Sequence, residues 1–173
     1  VAHLDALRAQ RRTEAYRTPD KLVFFGLLPE SISHEGYSAK PMHSYWDDFW
    51  ALRGYTDAAA LAAELGKPDE ASRIAASRDE FRADLVASIE RAMTAHGIDY
   101  VPGCAELGDF DATSATVALA PTAADAHLPR EAIERTFEKY WANFVARRDG
   151  VQPWENYTPY ELRSVGALVR LGQ

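Results

Sequence analysis

The sequence predicts an all-α protein built from helical hairpins. Helical segments with few charges alternate along the chain with amphipathic segments, and each segment with few charges follows a polar loop. A helix that is apolar around most of its circumference is typical of a buried position, whereas an amphipathic helix keeps one face in solvent. The alternation therefore predicts inner and outer antiparallel helices, arranged as a toroid or a solenoid of helical hairpins.

Composition limits the classes of partner. At 173 residues the chain can form one domain with a sizeable core. Its net charge of −7 argues against binding to nucleic acid, which needs clustered Lys and Arg. No apolar run is long enough to span a membrane, and the five histidines lack the spacing of a metal site. We therefore expect no nucleic acid, membrane, metal or cofactor among the partners.

The first half of the chain is predicted to contain an outer helix, a polar loop and an inner helix. Residues 1–17 have a helix-forming composition with a charged face. Residues 21–28 (KLVFFGLL) form either a strand or an extended entry to the polar loop at 26–42. An inner helix is then predicted over residues 43–65, where Gly66 ends it.

The second half of the chain repeats this alternation. Ile74, Phe81 and Leu85 share one face of the segment 69–96, which predicts an outer helix. The same criteria predict an inner helix over 112–120, an outer helix over 129–147 and an inner helix over 159–171. Because a polar loop precedes each inner helix, the three loops should meet at one end of the fold.

Two segments carry a resemblance to a known family. The loop GLLP followed by HSYWDDFWALRGYTDAAALAAELGK, and the segment WENYTPYELR at 154–163, resemble the six-hairpin glycosidases. These are (α/α)6 toroids that include glucoamylases, trehalases and processing glucosidases. The resemblance covers most of the chain from Gly26 onward and implies about half of a toroid, within a larger catalytic domain. It also implies that the rest of a parent chain, or a second copy, covers the open edges.

The resemblance implies hydrolysis of a glycosidic bond, which needs two carboxyl groups on opposite sides of that bond. Glu35 is the candidate general acid, because it lies in the middle of the first polar loop between His34 and Gly36. Glu30 is its substitute, and Glu155 is the best second carboxylate within the chain. The alternatives are a solvated loop glutamate at Glu35 and a helix-entry cap at Glu155.

Aromatic and acidic residues near the helix starts are candidates for binding the sugar. In the enzymes that the chain resembles, a Trp-Asp pair such as Trp46-Asp47 commonly holds a sugar. The alternative is that Asp47 and Asp48 satisfy free backbone N–H groups at the helix start. Asp109 and Asp111, together with Thr113, favour a capping group for the uncharged helix at 112–120. The predicted substrate-binding residues are Tyr37, Tyr45, Trp46, Asp47, Trp154 and Tyr157.

The functional prediction is a segment of a glycoside hydrolase catalytic domain that binds a carbohydrate substrate. The alternative is a non-catalytic scaffold of helical hairpins that binds a protein or a carbohydrate. Solenoid scaffolds usually recognise partners on exposed helix faces. In this sequence the acids and aromatics gather in loops before the inner helices, which favours a pocket.

Overall fold

The computed structural model describes residues 1–33, 36–155 and 159–173. Helix makes up 62% of the structure, and the described residues form no strand, which confirms the all-α prediction. Short 3-10 turns and loops connect the α-helices. The helices are α1 (Ala2–Ala9), α2 (Tyr45–Glu64), α3 (Pro68–His96), α4 (Ala112–Leu119), α5 (Arg130–Arg148) and α6 (Leu162–Arg170).

The first helix is shorter than predicted, because α1 ends at Ala9 rather than near residue 17. The buried side chain of Arg8 donates to the carbonyl of Gly26 at 3.0 Å and pairs with Asp84 at 3.0 Å. The Gly26 N–H in turn donates to the carbonyl of Arg11. These bonds hold the chain after α1 against the loop at Gly26, so the chain turns there and α1 does not continue.

The apolar segment at 21–28 forms a 3-10 turn at Leu22–Phe24. Its backbone hydrogen bonds are local, since the Phe24 N–H donates to the carbonyl of Lys21. The strand alternative for this segment is therefore wrong.

The helices α2, α4 and α6 contact one another in that order and form a row. Helix α3 packs along α2, while α5 contacts both α4 and α6. Nearly every residue of α4 is buried, as its lack of charge predicts. Helices α3 and α5 bury one face each, which agrees with the outer positions predicted for them.

The two ends of the row are less buried than predicted. Leu61 of α2 and Leu65, which follows its last residue, are 60% and 63% exposed, so the prediction of burial around most of the α2 circumference is wrong for its C-terminal half. On α6, Leu162, Val165 and Val169 are also exposed. The physical reason is position, because α4 has a neighbour on each side whereas α2 and α6 end the row.

The core lies between the row and the outer helices. Its largest fully buried side chains include Tyr55 and Phe49 of α2, Phe81 of α3 and Phe137 of α5. Burial of an aromatic side chain of this size stabilises a fold by about 1.5–3 kcal/mol. Within the described ranges, none of the helices has both the length and the apolar character that crossing a membrane requires.

Candidate functional site

A cleft of about 720 Å³ opens between the start of α4, the C-terminal half of α5 and the chain that leads into α6. The cleft therefore lies where two of the three polar loops enter their helices. Its lining combines rings, carboxylates and amides, namely Phe110, Tyr140, Tyr160, Asp111, Glu155, Glu161, Asn143 and Gln152. Gly36 of the first polar loop also lines it.

An ion pair forms one wall of the cleft. Both terminal nitrogens of Arg147 donate to the carboxylate of Glu161, at 2.8 and 2.7 Å, and the hydroxyl of Tyr140 donates to it at 2.9 Å. The hydrogen bond to Glu161 raises the pKa of Arg147. Burial and then the bond to Glu161 raise the pKa of Tyr140. Glu161 is thus a carboxylate occupied in joining α5 to the start of α6.

Asp111 caps α4, which confirms the predicted capping role. Its carboxylate accepts from the Ser114 N–H at 3.0 Å and from the Thr113 hydroxyl at 2.6 Å. Asp109 does not share this role, because it accepts from the Tyr37 hydroxyl and from the Cys104 N–H, both at 3.0 Å. Tyr37, predicted to bind substrate, therefore ties the first polar loop to the second.

Glu155 is an exposed carboxylate that lines the cleft. Among the described residues no hydrogen bond or ion pair engages its side chain. The helix-entry alternative does not hold, because the N-cap position of α6 belongs to Glu161. Glu155 is thus available to a ligand.

The other two predicted catalytic residues are Glu30 and Glu35, and of these the structure describes Glu30. The carboxylate of Glu30 forms an ion pair with Arg11 and lies 3.8 Å from His43. Burial raises the pKa of Glu30, but its backbone hydrogen bond and the neighbouring His43 and Arg11 lower it by more. The net pKa is therefore below the ordinary value. A general acid needs the opposite shift, so the lowered pKa does not favour this role for Glu30. Glu35 lies outside the described residues.

The groups around Glu30 form what we call the loop network, made of Arg11, Glu30, His43 and Glu106. The buried His43 ring lies with Nδ1 at 2.6 Å from Glu106, and Arg11 Nε donates to its Nε2 at 3.3 Å. Because arginine can only donate, Nε2 accepts and Nδ1–H donates to Glu106. The backbone N–H of His43 donates to the same carboxylate at 3.0 Å. Sequence reasoning missed this network, since its partners lie 32 and 63 residues apart.

Two of the predicted sugar-binding residues on α2 serve the fold. Tyr45 is fully buried, and its hydroxyl is 2.8 Å from the hydroxyl of Ser88. It has no surface to offer a ligand, so we no longer assign it to substrate binding. Asp47 accepts from the hydroxyls of Ser31 and Ser33, the latter at 3.0 Å. It binds the preceding loop and caps no helix N–H.

Two predicted tryptophans flank the cleft without lining it. The partly buried ring of Trp46 lies 4.9 Å from the guanidinium of Arg163. Trp154 is half-exposed and packs against α5, where its ring lies 5.0 Å from the guanidinium of Arg147. Both neighbours, Pro153 and Glu155, line the cleft. Tyr157 lies outside the described residues.

Asp48 is a buried acid whose environment the sequence did not reveal. Its side chain is 1% exposed, and Oδ1 accepts from the Leu28 N–H at 3.1 Å. Oδ2 has no partner within the described part of the chain. Burial, with smaller contributions from Asp47 and Glu106, raises the pKa of Asp48 well above its ordinary value. This shift favours the neutral form of the carboxyl group, and its burial keeps it from the protein surface.

Within the same ranges, no three His, Cys, Asp or Glu side chains are placed to hold a metal ion. Comparison of the chain with known protein families, with curated proteins and with solved structures found no match. The chemistry of the cleft is therefore the basis on which a function can be proposed.

Proposed function

We propose that this chain forms part of a glycoside hydrolase catalytic domain and that its cleft binds the sugar. The carrying observation is that one cleft combines aromatic rings with a carboxylate, Glu155, that has no hydrogen-bond or ion-pair partner among the described residues. A sugar ring presents a C–H face to the rings of Phe110 and Tyr160, and its hydroxyls can bond to Asn143 and Gln152. A volume of about 720 Å³ is in the range of ordinary small-molecule sites.

Glu155 is the catalytic carboxylate in this proposal. It reaches the cleft without an ion-pair partner among the described residues, whereas Glu161 is neutralised by Arg147 and Asp111 caps α4. Glu35 is proposed as the general acid on the sequence argument, and its neighbour Gly36 lines the same cleft. The order of contacts along α2, α4 and α6 supports the further proposal that these helices are the inner row of an (α/α)6 toroid.

Substitution of Glu155→Gln tests the function. We expect it to lower turnover of a panel of aryl glycosides by about 10²–10⁴, the usual contribution of a positioned acid or base. The matched control is Glu131→Gln, an exposed glutamate on α5 that should leave turnover unchanged. Full activity in Glu155→Gln would remove Glu155 from the chemistry. A chain that hydrolyses no glycoside and gives no saturation-transfer NMR signal from any sugar would contradict the proposed function.

One observation favours the alternative, a helical scaffold. Leu162, Val165 and Val169 form an exposed apolar face on α6, of the kind that marks an interaction site. We predict that a second copy or the rest of a parent chain covers this edge. Sedimentation equilibrium of wild type and of Val165→Ser/Val169→Ser tests the second copy. Self-association should weaken in the variant, and a wild type that stays monomeric at all concentrations would contradict it.

A further inference from the structure

Arg163 lies between two aromatic rings, one of which lines the cleft. It belongs to the first turn of α6, and its guanidinium carbon is 4.6 Å from the ring centre of Tyr160 and 4.9 Å from that of Trp46. Tyr160 lines the cleft, whereas Trp46 belongs to the first turn of α2. Arg163 therefore joins the two helix starts beside the proposed sugar site.

Among the described residues the charge of Arg163 has no ion-pair partner, whereas Arg11 and Arg147 each have one. Arg11 pairs with Glu30, and Arg147 pairs with Glu161. Across the described ranges no carboxylate lies within ion-pair distance of Arg163. Two rings can hold a planar guanidinium by its faces while its N–H groups remain free to donate at the edge.

A guanidinium of this kind matches a carboxylate better than a neutral hydroxyl. Two parallel N–H groups can donate to both oxygens of a carboxylate at once, and the opposite charge roughly doubles the strength of each bond. Two of the carboxylates that line the cleft are already engaged, because Glu161 pairs with Arg147 and Asp111 accepts from three donors of α4. Glu155 is the third carboxylate of the lining.

We propose that Arg163 is a specificity-determining residue that selects sugars bearing a carboxylate, such as a uronic acid. This inference rests on the proposed function, since it names the substrate class of the same cleft. The ring of the sugar lies against Tyr160 in the cleft, and its carboxylate accepts from the outer edge of the Arg163 guanidinium.

The experiment compares three ligands by titration of tryptophan fluorescence, because Trp46 contacts the residue under test. Methyl glucuronide carries the ring and the carboxylate, methyl glucoside carries the ring alone, and acetate carries the carboxylate alone. We expect methyl glucuronide to bind about tenfold tighter or more than methyl glucoside, as one charge-assisted contact allows. Acetate should bind weakly, because it lacks the contacts of the ring.

Arg163→Gln should abolish the preference for methyl glucuronide and leave binding of methyl glucoside unchanged. Arg163→Lys should restore part of the preference, since it keeps the charge but loses the planar pair of donors. The matched control is Arg91→Gln, which changes an exposed arginine of α3 and should leave the preference intact.

The outcomes separate the two proposals. Equal binding of both glycosides to the wild type, or an unchanged preference in Arg163→Gln, overturns the role of Arg163 and leaves the sugar site standing. Acetate binding as tight as that of methyl glucuronide shows a free-anion site and also overturns it. Binding of neither glycoside overturns the proposed function and this inference together.

Discussion

The loop network and the cleft are two polar regions of similar composition that differ in how their charged side chains are paired. In the loop network, Arg11, His43 and Glu106 bond to one another beneath the first polar loop. In and beside the cleft, Glu155 and Arg163 are exposed and have no ion-pair partners among the described residues. The polar groups of the first region hold loops together, whereas these two side chains face solvent.

The two regions differ in the pairing of their acids rather than in residue type. Glu30 and Glu155 both precede a row helix and both lie near aromatic residues. Glu30 forms an ion pair with Arg11, whereas Glu155 lines the cleft. His43→Ala and Glu155→Gln test this distinction, since a change in the paired region should cost stability and a change in the open region should not. Asp48→Asn tests a third case, a buried acid in which one oxygen has no partner among the described residues.

His43→Ala should have the largest effect on stability. It removes two hydrogen bonds to charged groups, which are worth about 1.5–3 kcal/mol each, so we expect a loss of about 3–5 kcal/mol. It also removes a buried ring that stacks on Phe24 at 4.5 Å. Urea unfolding measures the change, and exposed His3→Ala is the control. A loss below about 1 kcal/mol would place the loop network among ordinary surface contacts.

Asp48→Asn should stabilise the protein relative to the wild type, and this gain should increase as the pH rises. The unfolded chain releases this proton near the ordinary pKa of 3.8, whereas the fold retains it. The free energy of unfolding of the wild type therefore falls between the unfolded and the folded pKa. Asparagine keeps the acceptor for the Leu28 N–H without a charge, so the gain should be about 1–3 kcal/mol at pH 8 and near zero below pH 4.

Thermal unfolding at several pH values measures this difference between wild type and Asp48→Asn. The control is Asp69→Asn, an exposed acid in the first turn of α3. If the two variants follow the same pH dependence, the buried state of Asp48 does not govern stability.

Glu155→Gln should have the smallest effect on stability. The side chain is exposed and unpaired within the described residues, so the free energy of unfolding should change by less than about 0.5 kcal/mol. The same variant should lose turnover, as proposed above. A destabilisation comparable to that of His43→Ala would show that Glu155 is a structural residue and would end the contrast between the two regions.

The sequence by itself determined the helices, because their signals are local. The apolar spacing of Ile74, Phe81 and Leu85, and the absence of charge in α4, placed most boundaries within a few residues. Capping by Asp111 was also predictable, since the capping carboxylate and the N–H that donates to it lie three residues apart. Helix α1 was predicted too long because a distant contact with Gly26 turns the chain after it.

Only the tertiary structure decided which polar residues remain available to a ligand. Tyr45 and Trp46 are adjacent in sequence, yet one is buried against Ser88 and the other contacts Arg163 across the helix starts. Likewise, Arg147 neutralises Glu161 but leaves Glu155 unpaired within the described residues. Availability depends on which groups meet across distant segments, and such partners leave no periodic or local pattern in a sequence. Helical order is encoded within a few turns of chain, whereas the cleft exists only once α4, α5 and α6 have packed.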